Sequence, residues 1–353
     1  MEFAEQYFAN YSGYLNTILS YKFGTKMKTK KIFLLVFAVL ILSFCGKRTI
    51  PPQYSELSVP ENLSLIRHDT EIFAVWNPAQ NENIVSYLLY VGSEPDNYQD
   101  TIQVSGEKHT AKLPFGPLNE ACYCRITAVN KFHEISTASA EASVPSYEKL
   151  EKFSQKSGTL DSSRWFYPPD YTNQISEGAV VTSEQEFFQS PMTRCFAQYL
   201  VLLPEDNFVV DCDFQLGTPN IGGAGVMIRS AKAVTANYYK GYFAYFFWDG
   251  ENWYLHFEEG SRDRFALQNP KPIKLPLIAP EEWLQLSIAY SSGHIFVKAV
   301  RLSNFETLGT LSLQEKEWSR RPLPKDRYCG FFATQYGKNQ IRLDNFAIAR
   351  LRE

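Results

Sequence analysis

The chain has 353 residues, 44% of them hydrophobic and 15% aromatic, with a formal net charge of −3. That length is enough for two or three domains with cores of their own, and the charge excludes a nucleic-acid binder that works by replacing phosphate counterions along a basic stripe. Tyr and Phe dominate the aromatics and helix-spaced amphipathic stretches are scarce after residue 50, which points to an all-β protein, since rings suit pleated, half-buried surfaces.

Met27-Lys28-Thr29-Lys30-Lys31 is a short basic run, and the unbroken apolar stretch Ile32 to Phe44 follows it. A basic run before an apolar segment of roughly 7–15 residues describes an export signal, whereas a spanning helix needs about 20. Residues 1–26 are then expected to be an upstream extension without an assigned fold, and residues 27–45 the signal segment. Leu42-Ser43-Phe44-Cys45 resembles the lipobox of bacterial lipoproteins. The resemblance implies cleavage before Cys45, lipidation of that cysteine, and a chain held in the cell envelope, with the outer membrane favoured because no Asp follows the cysteine. Phe44 departs from the small residue usual at that position. Two or three acyl chains anchor stably where one does not. Residues 46–58 read as a polar tether.

Export frames the remaining cysteines: Cys122, Cys124, Cys195, Cys212 and Cys329. An odd number cannot pair completely. A Cys195–Cys212 or Cys212–Cys329 disulfide and buried free thiols are both compatible with the spacing. No metal-ligand spacing accompanies them, and no cofactor is expected.

Residues 59–146 read as a β-sandwich of short strands. Glu71–Trp76, Ile84–Val91, Thr101–Val104 and His109–Leu113 lead to the alternating run Ala121–Asn130, with Cys122, Cys124, Ile126 and Ala128 on one face. Pro60-Glu61-Asn62-Leu63, Trp76-Asn77-Pro78 and Tyr123-Cys124-Arg125-Ile126-Thr127-Ala128-Val129-Asn130 resemble a fibronectin type III domain. The resemblance implies core roles for Trp76 and Tyr123, and a module that spaces and presents its neighbours. Residues 147–159, charged and polar, are expected to be a linker or a short helix.

Residues 160–353 carry strand candidates at Phe208–Leu216, Gly223–Ser230, Gly241–Asp249, Asn252–Glu259, Glu282–Ser291, His294–Leu302, Tyr328–Thr334 and Ile341–Leu351. Asp249-Gly250 and Ser291-Ser292-Gly293 supply hairpin turns. So many strands over this length predict a two-sheet jelly-roll. Gly223-Ala224-Gly225-Val226-Met227-Ile228-Arg229, Glu282-Trp283-Leu284-Gln285-Leu286-Ser287-Ile288 and Leu343-Asp344-Asn345-Phe346 resemble the concanavalin A-like lectin/glucanase fold, in its laminin G-like and keto-disaccharide hydrolase-like members. That superfamily contains enzymes, lectins and adhesion modules, so the fold does not fix the function.

The nearest pair of same-strand carboxylates is Asp211 with Asp213, pointing off the core face made by Phe208, Val210, Cys212 and Phe214. No third acid follows at the laminarinase spacing, and no catalytic residue is assigned. A binding face is the stronger reading. Tyr254 and His256 share one face of their strand, Tyr245 and Phe247 fall on the adjoining strand, and Arg229 is expected to point away from the core toward them. Rings with a few polar groups suit sugars, whose CH faces stack while their hydroxyls find donors. Arg229, Tyr245, Tyr254 and His256 are the expected ligand residues, with Cys45 the lipidation site. The sequence thus predicts a membrane-anchored, non-catalytic lipoprotein that binds glycan or a surface protein. A glycoside-processing enzyme of the keto-disaccharide hydrolase-like type and a scaffold without a small ligand are the alternatives.

Overall fold

A computed structural model describes residues 57–351, apart from residue 69 and segments 81–82, 115–119, 154–156, 168–171, 184–192, 218–221, 231–240, 262–263, 266–269, 315–326 and 336–340. The signal segment and Cys45 lie outside the described residues. Those described form strands and no helix, as the composition predicts.

Seven strands make the first sandwich: β1 (Glu61–His68), β2 (Glu71–Asn77), β3 (Ile84–Gly92), β4 (Asp100–Ser105), β5 (Thr110–Leu113), β6 (Cys122–Asn130) and β7 (Ala142–Val144). They pair antiparallel in a three-stranded sheet, β1-β2-β5, and a four-stranded sheet, β4-β3-β6-β7. The alternation in β6 turns Cys122, Cys124, Ile126 and Ala128 inward, all fully buried with Trp76, Tyr87 and Leu89. The Trp76 and Tyr87 rings meet edge-on, with centroids 5.3 Å apart.

The second sandwich starts sooner than expected. Tyr147–Glu151, read from its charges as linker or short helix, is a strand (β8), because Tyr147 is buried against Val209 and Ala349 while its lysine and glutamate neighbours face water. The chain continues through β9 (Ser157–Thr159), β10 (Trp165–Phe166), β11 (Thr172–Ser176), β12 (Ala179–Ser183), β13 (Thr193–Tyr199), β14 (Phe208–Gln215), β15 (Gly222–Ser230) and β16 (Gly241–Trp248). Then come β17 (Trp253–Ser261), β18 (Arg264–Phe265), β19 (Ile273–Lys274), β20 (Trp283–Ser291), β21 (His294–Arg301), β22 (Thr307–Gln314), β23 (Tyr328–Gln335) and β24 (Ile341–Arg350).

These strands form two facing sheets, the jelly-roll the sequence predicts. One runs β22-β21-β20-β14-β24-β12-β11-β9, with β8 also on β24; the other runs β10-β13-β23-β15-β16-β17-β18, with β19 also on β17. We call them the β14 sheet and the β16 sheet. Between them lies a core of large rings, Phe208, Phe214, Phe246, Phe257, Phe331 and Phe346 among them, each at most 1% exposed. Burial of a side chain that size contributes about 1.5–3 kcal/mol. Cys212 and Cys329 enter this core from opposite sheets as free thiols, so neither expected disulfide is formed. Burial raises the pKa of both.

Turn chemistry fits locally. At the β20–β21 hairpin Ser292 and Gly293 have φ of 48° and 80°, the two positive values of a two-residue turn whose twist matches its strands. Asp249-Gly250 opens a longer loop, in which Asp249 Oδ1 accepts the N–H groups of Glu251 and Asn252, both at 2.8 Å.

The two sandwiches pack as parts of one compact unit covering residues 49–353. A spacer module would touch its neighbour at the linker alone. Here β1 also lies against the outer face of the β14 sheet. Lys298 Nζ donates to Ser64 Oγ at 2.6 Å, Gln285 Nε2 donates to the Arg67 carbonyl at 2.9 Å, and Phe73 stacks on Phe305 at 4.4 Å. Arg67, 2% exposed, donates to the carbonyl of Glu120 at 2.7 Å, and its guanidinium lies 5.2 Å from the centre of the Tyr147 ring.

Candidate functional site

The outer face of the β16 sheet is where three of the four expected ligand residues fall. In β15, Ala224, Val226 and Ile228 point into the core, so Gly223, Gly225 and Met227 face out. Gly225 has Tyr245 of β16 on one side and Phe332 of β23 on the other. With no side chain between them, the two rings close to 5.3 Å over the glycine, whereas a Cβ there would lie 2.4 Å from the Tyr245 Cβ and 2.0 Å from the Ala244 carbonyl oxygen. The Gly-x-Gly pattern thus makes room for an aromatic layer on the outside of the sheet.

That layer grades from closed to partly open. Met227, Phe243, Tyr245 and Phe332 are buried, while Phe247, Tyr254 and His256 are half-buried. His256 sits among rings: stacked on Tyr245 at 5.1 Å, edge-on to Phe247 at 5.1 Å and edge-on to Tyr254 at 6.1 Å. Loss of solvent lowers its pKa to about 4, so the imidazole is neutral near pH 7 and offers one N–H donor and one acceptor nitrogen.

Three of the four expected ligand residues, Tyr245, Tyr254 and His256, are therefore neighbours. Arg229 is not among them. The β15–β23 register shifts between Met227 and Ser230, and Arg229 takes φ 47° at that irregularity. The alternation breaks there, and the guanidinium swings to 4.3 Å from the centre of the Tyr290 ring, on the opposite sheet. A bulge re-aims one side chain in this way, and a simple in-out count along the strand misses it.

A second arrangement lies on the outer face of the β14 sheet. Asp211 and Asp213 point off the core as expected, yet neither is open to solvent, at 8% and 1% exposure. Asp211 Oδ2 accepts from the Tyr147 hydroxyl at 2.8 Å. Burial raises the Asp211 pKa, and Ser287, Tyr147 and Lys298 oppose that rise. Asp213 holds His68 Nδ1 at 2.9 Å and Asn345 Nδ2 at 2.8 Å on one oxygen, and Gln285 Nε2 at 3.2 Å on the other. The bond to Asp213 raises the His68 pKa, with burial opposing it.

The backbone of β24 shapes this end. Its edge partner changes from β12, paired with Ile341–Leu343, to β8, paired with Phe346–Ala349. In the gap Asn345 takes φ 50°, and because Leu343 and Phe346 both point inward, Asp344 and Asn345 both face out, beside Asp213. Asp344 Oδ1 accepts the Phe153 N–H at 3.1 Å and the Asn345 N–H at 2.8 Å. Beside them opens a cleft of about 720 Å³, walled by His68, Lys152, Glu281, Trp283, Asp344 and Asn345 among others. Among the described residues no group of three or more His, Cys, Asp or Glu is placed to hold a metal ion.

No family model matches the chain, and no curated protein matches it. Solved structures do. Lectin II from Ulex europaeus aligns with 59% of this chain and 100% of its own length, at 11% identity and a TM-score of 0.43. Lectin I from Ulex europaeus, in complex with the methyl glycoside of α-L-fucose, aligns over 57% and 98% of the two chains, at 12% identity and a TM-score of 0.42. A structure described under endo-acting O-glycanases of the human gut microbiota that initiate mucin breakdown aligns over 59% and 100%, at 8% identity and a TM-score of 0.40.

Proposed function

We propose that this chain is an envelope lipoprotein, lipidated at Cys45 and favouring the outer membrane, that binds glycan on the outer face of its β16 sheet. The observation that supports this most is the half-buried ring cluster in which neutral His256 is surrounded by Tyr245, Phe247 and Tyr254. A sugar ring can lay its CH face on Tyr254 or Phe247 while a hydroxyl donates to, or accepts from, the imidazole. In this reading the first sandwich is a fibronectin type III-like module, consistent with its sheets of three and four strands, and it braces the jelly-roll instead of spacing it. A retaining glycosidase built on Asp211 and Asp213 gains no support, because both carboxylates are buried by Tyr147, His68 and Gln285.

A glycan array probed with the soluble chain from Gly46 onward tests the site. We expect Tyr254→Ala and His256→Ala each to weaken the best ligand by about tenfold or more, the loss that follows from removing one stacking or hydrogen-bonding group. Binding to no glycan, or equal binding by both variants, rules the site out. Labelling with radioactive palmitate, lost in Cys45→Ala, tests the anchor separately.

A further inference from the structure

The cleft at the junction of the two sandwiches is chemically unlike the ring face. Its walls carry four carboxylates, Asp213, Glu281, Glu282 and Asp344, against two basic groups, His68 and Lys152. Two of the four are already engaged. Asp213 is saturated by His68, Asn345 and Gln285, and Glu282 is held by Arg301 Nε at 2.7 Å. Glu281 is exposed, and Asp344 has spent Oδ1 on backbone N–H groups, which among the described residues leaves Oδ2 for a ligand. Burial raises the Asp344 pKa, and the backbone bonds and Lys152 oppose that rise; the walls remain acidic in sum.

Beside these acids the cleft has a ring and fixed polar groups. Trp283, half-buried, stands on the outer face of β20, where Leu284 and Leu286 point inward. His68 is fixed through Nδ1, so Nε2 is the ring nitrogen left to a ligand. Asn345 is oriented by the hydrogen bond its side-chain amide donates to Asp213. The volume, about 720 Å³, lies within the roughly 300–1,000 Å³ usual for small-molecule sites, which occur preferentially at domain interfaces.

We propose that this cleft is a second ligand site, taking a saccharide that carries protonated amines, with the sugar ring against Trp283 and an amine between Glu281 and Asp344. It goes beyond the ring-face site and does not depend on it. A neutral sugar would leave Glu281 without a countercharge among the described residues, Asp344 already having Lys152 nearby, and acidic sugars would be repelled.

Calorimetric titration of the full soluble chain with a fully deacetylated chitosan tetrasaccharide, at mildly acidic pH, reads the proposal directly. We expect saturable binding, weakened roughly tenfold in Glu281→Gln and in Asp344→Asn, the scale of losing one partly desolvated charge pair. Glu281 is on an exposed turn, so its variant keeps the fold even where Asp344→Asn disturbs the bulge. Trp283→Ala should lose binding and Trp283→Phe should retain most of it. Tyr254→Ala should leave this ligand unaffected, which separates failure here from failure of the ring-face site. No binding, unchanged affinity in Glu281→Gln, or equal affinity for the N-acetylated tetrasaccharide overturns the proposal. Equally tight binding of an oligolysine peptide also overturns it, by showing that the cleft reads amine charge without a sugar.

Discussion

The two sheets of the jelly-roll share a core but differ on their outer faces. The β14 sheet carries Asp211, Asp213 and Gln285, buried, and Lys298, half-buried, outside, all bonded to the first sandwich or to β8. The β16 sheet carries Phe243, Tyr245, Phe247 and Phe332 outside, packed on one another over glycine. Polar groups that leave water must find partners with good geometry, so the first face specifies one docking arrangement. Rings are tolerant of direction, so the second face can accept different partners. The difference makes the first face the docking surface, while the ring face is where we propose recognition.

The largest expected effect breaks the polar face. Asp213→Ala removes the acceptor of three side chains, the half-buried His68 and Asn345 and the buried Gln285, and leaves Gln285 only its bond to the Arg67 carbonyl. Breaking a buried charged network in this way costs about 3–5 kcal/mol, and Asp213→Asn should cost less because it keeps one acceptor. Equilibrium denaturation of the soluble chain measures both, and a cost within about 0.5 kcal/mol, the surface-substitution range, would show that the docking bonds are incidental.

A smaller effect is expected from disturbing the ring face. Gly225→Ala places a methyl group 2.4 Å from the Tyr245 Cβ. Overpacking of a well-packed layer costs about 1–3 kcal/mol, and near-ultraviolet circular dichroism should report the displaced Tyr245 and Phe332 rings. The same variant should leave titration of the junction cleft unaltered, since Asp344 and Trp283 lie on the other sheet.

How much of this contrast the sequence shows follows from the range of each signal. The alternation in β14 placed Phe208, Val210, Cys212 and Phe214 in the core and the two aspartates outside, because period-two patterning is local. It could not show what covers the aspartates: His68 is 145 residues from Asp213, and Asn345 is 132. The one available hint was Arg67, a charge in the apolar run Leu65-Ile66-Arg67, which signals a strand end with a polar partner elsewhere. Arg229 was misplaced because a bulge leaves no mark in residue spacing, and β22 was overlooked because Thr, Gly and Ser dilute its apolar positions. Tyr147–Glu151 escaped notice for a related reason, since an edge strand with one buried ring reads like a charged linker.

The mildest perturbation, a change of pH, sets the faces against each other through one histidine each. The His68 pKa is raised above 6.5 by its bond to Asp213, with Asp344 and Glu71 adding to the attraction. The folded chain thus holds a proton that the unfolded chain releases, so the contribution of His68 is complete below pH 6.5 and is lost as pH rises through the raised folded value. His256 does the reverse. Its pKa falls from 6.5 to about 4 because the ring layer excludes water, so its contribution is complete above pH 6.5 and is lost as pH falls toward 4. His68→Ala should therefore reduce stability at mildly acidic pH, by about 1 kcal/mol for one half-exposed charged hydrogen bond, with the deficit shrinking as pH rises. His256→Gln should relieve the loss below pH 6.5 and change little above it. Denaturation midpoints across the pH range for the two variants decide the matter. If both curves shift the same way with pH, the faces do not differ in the polarity that their bonds and rings imply.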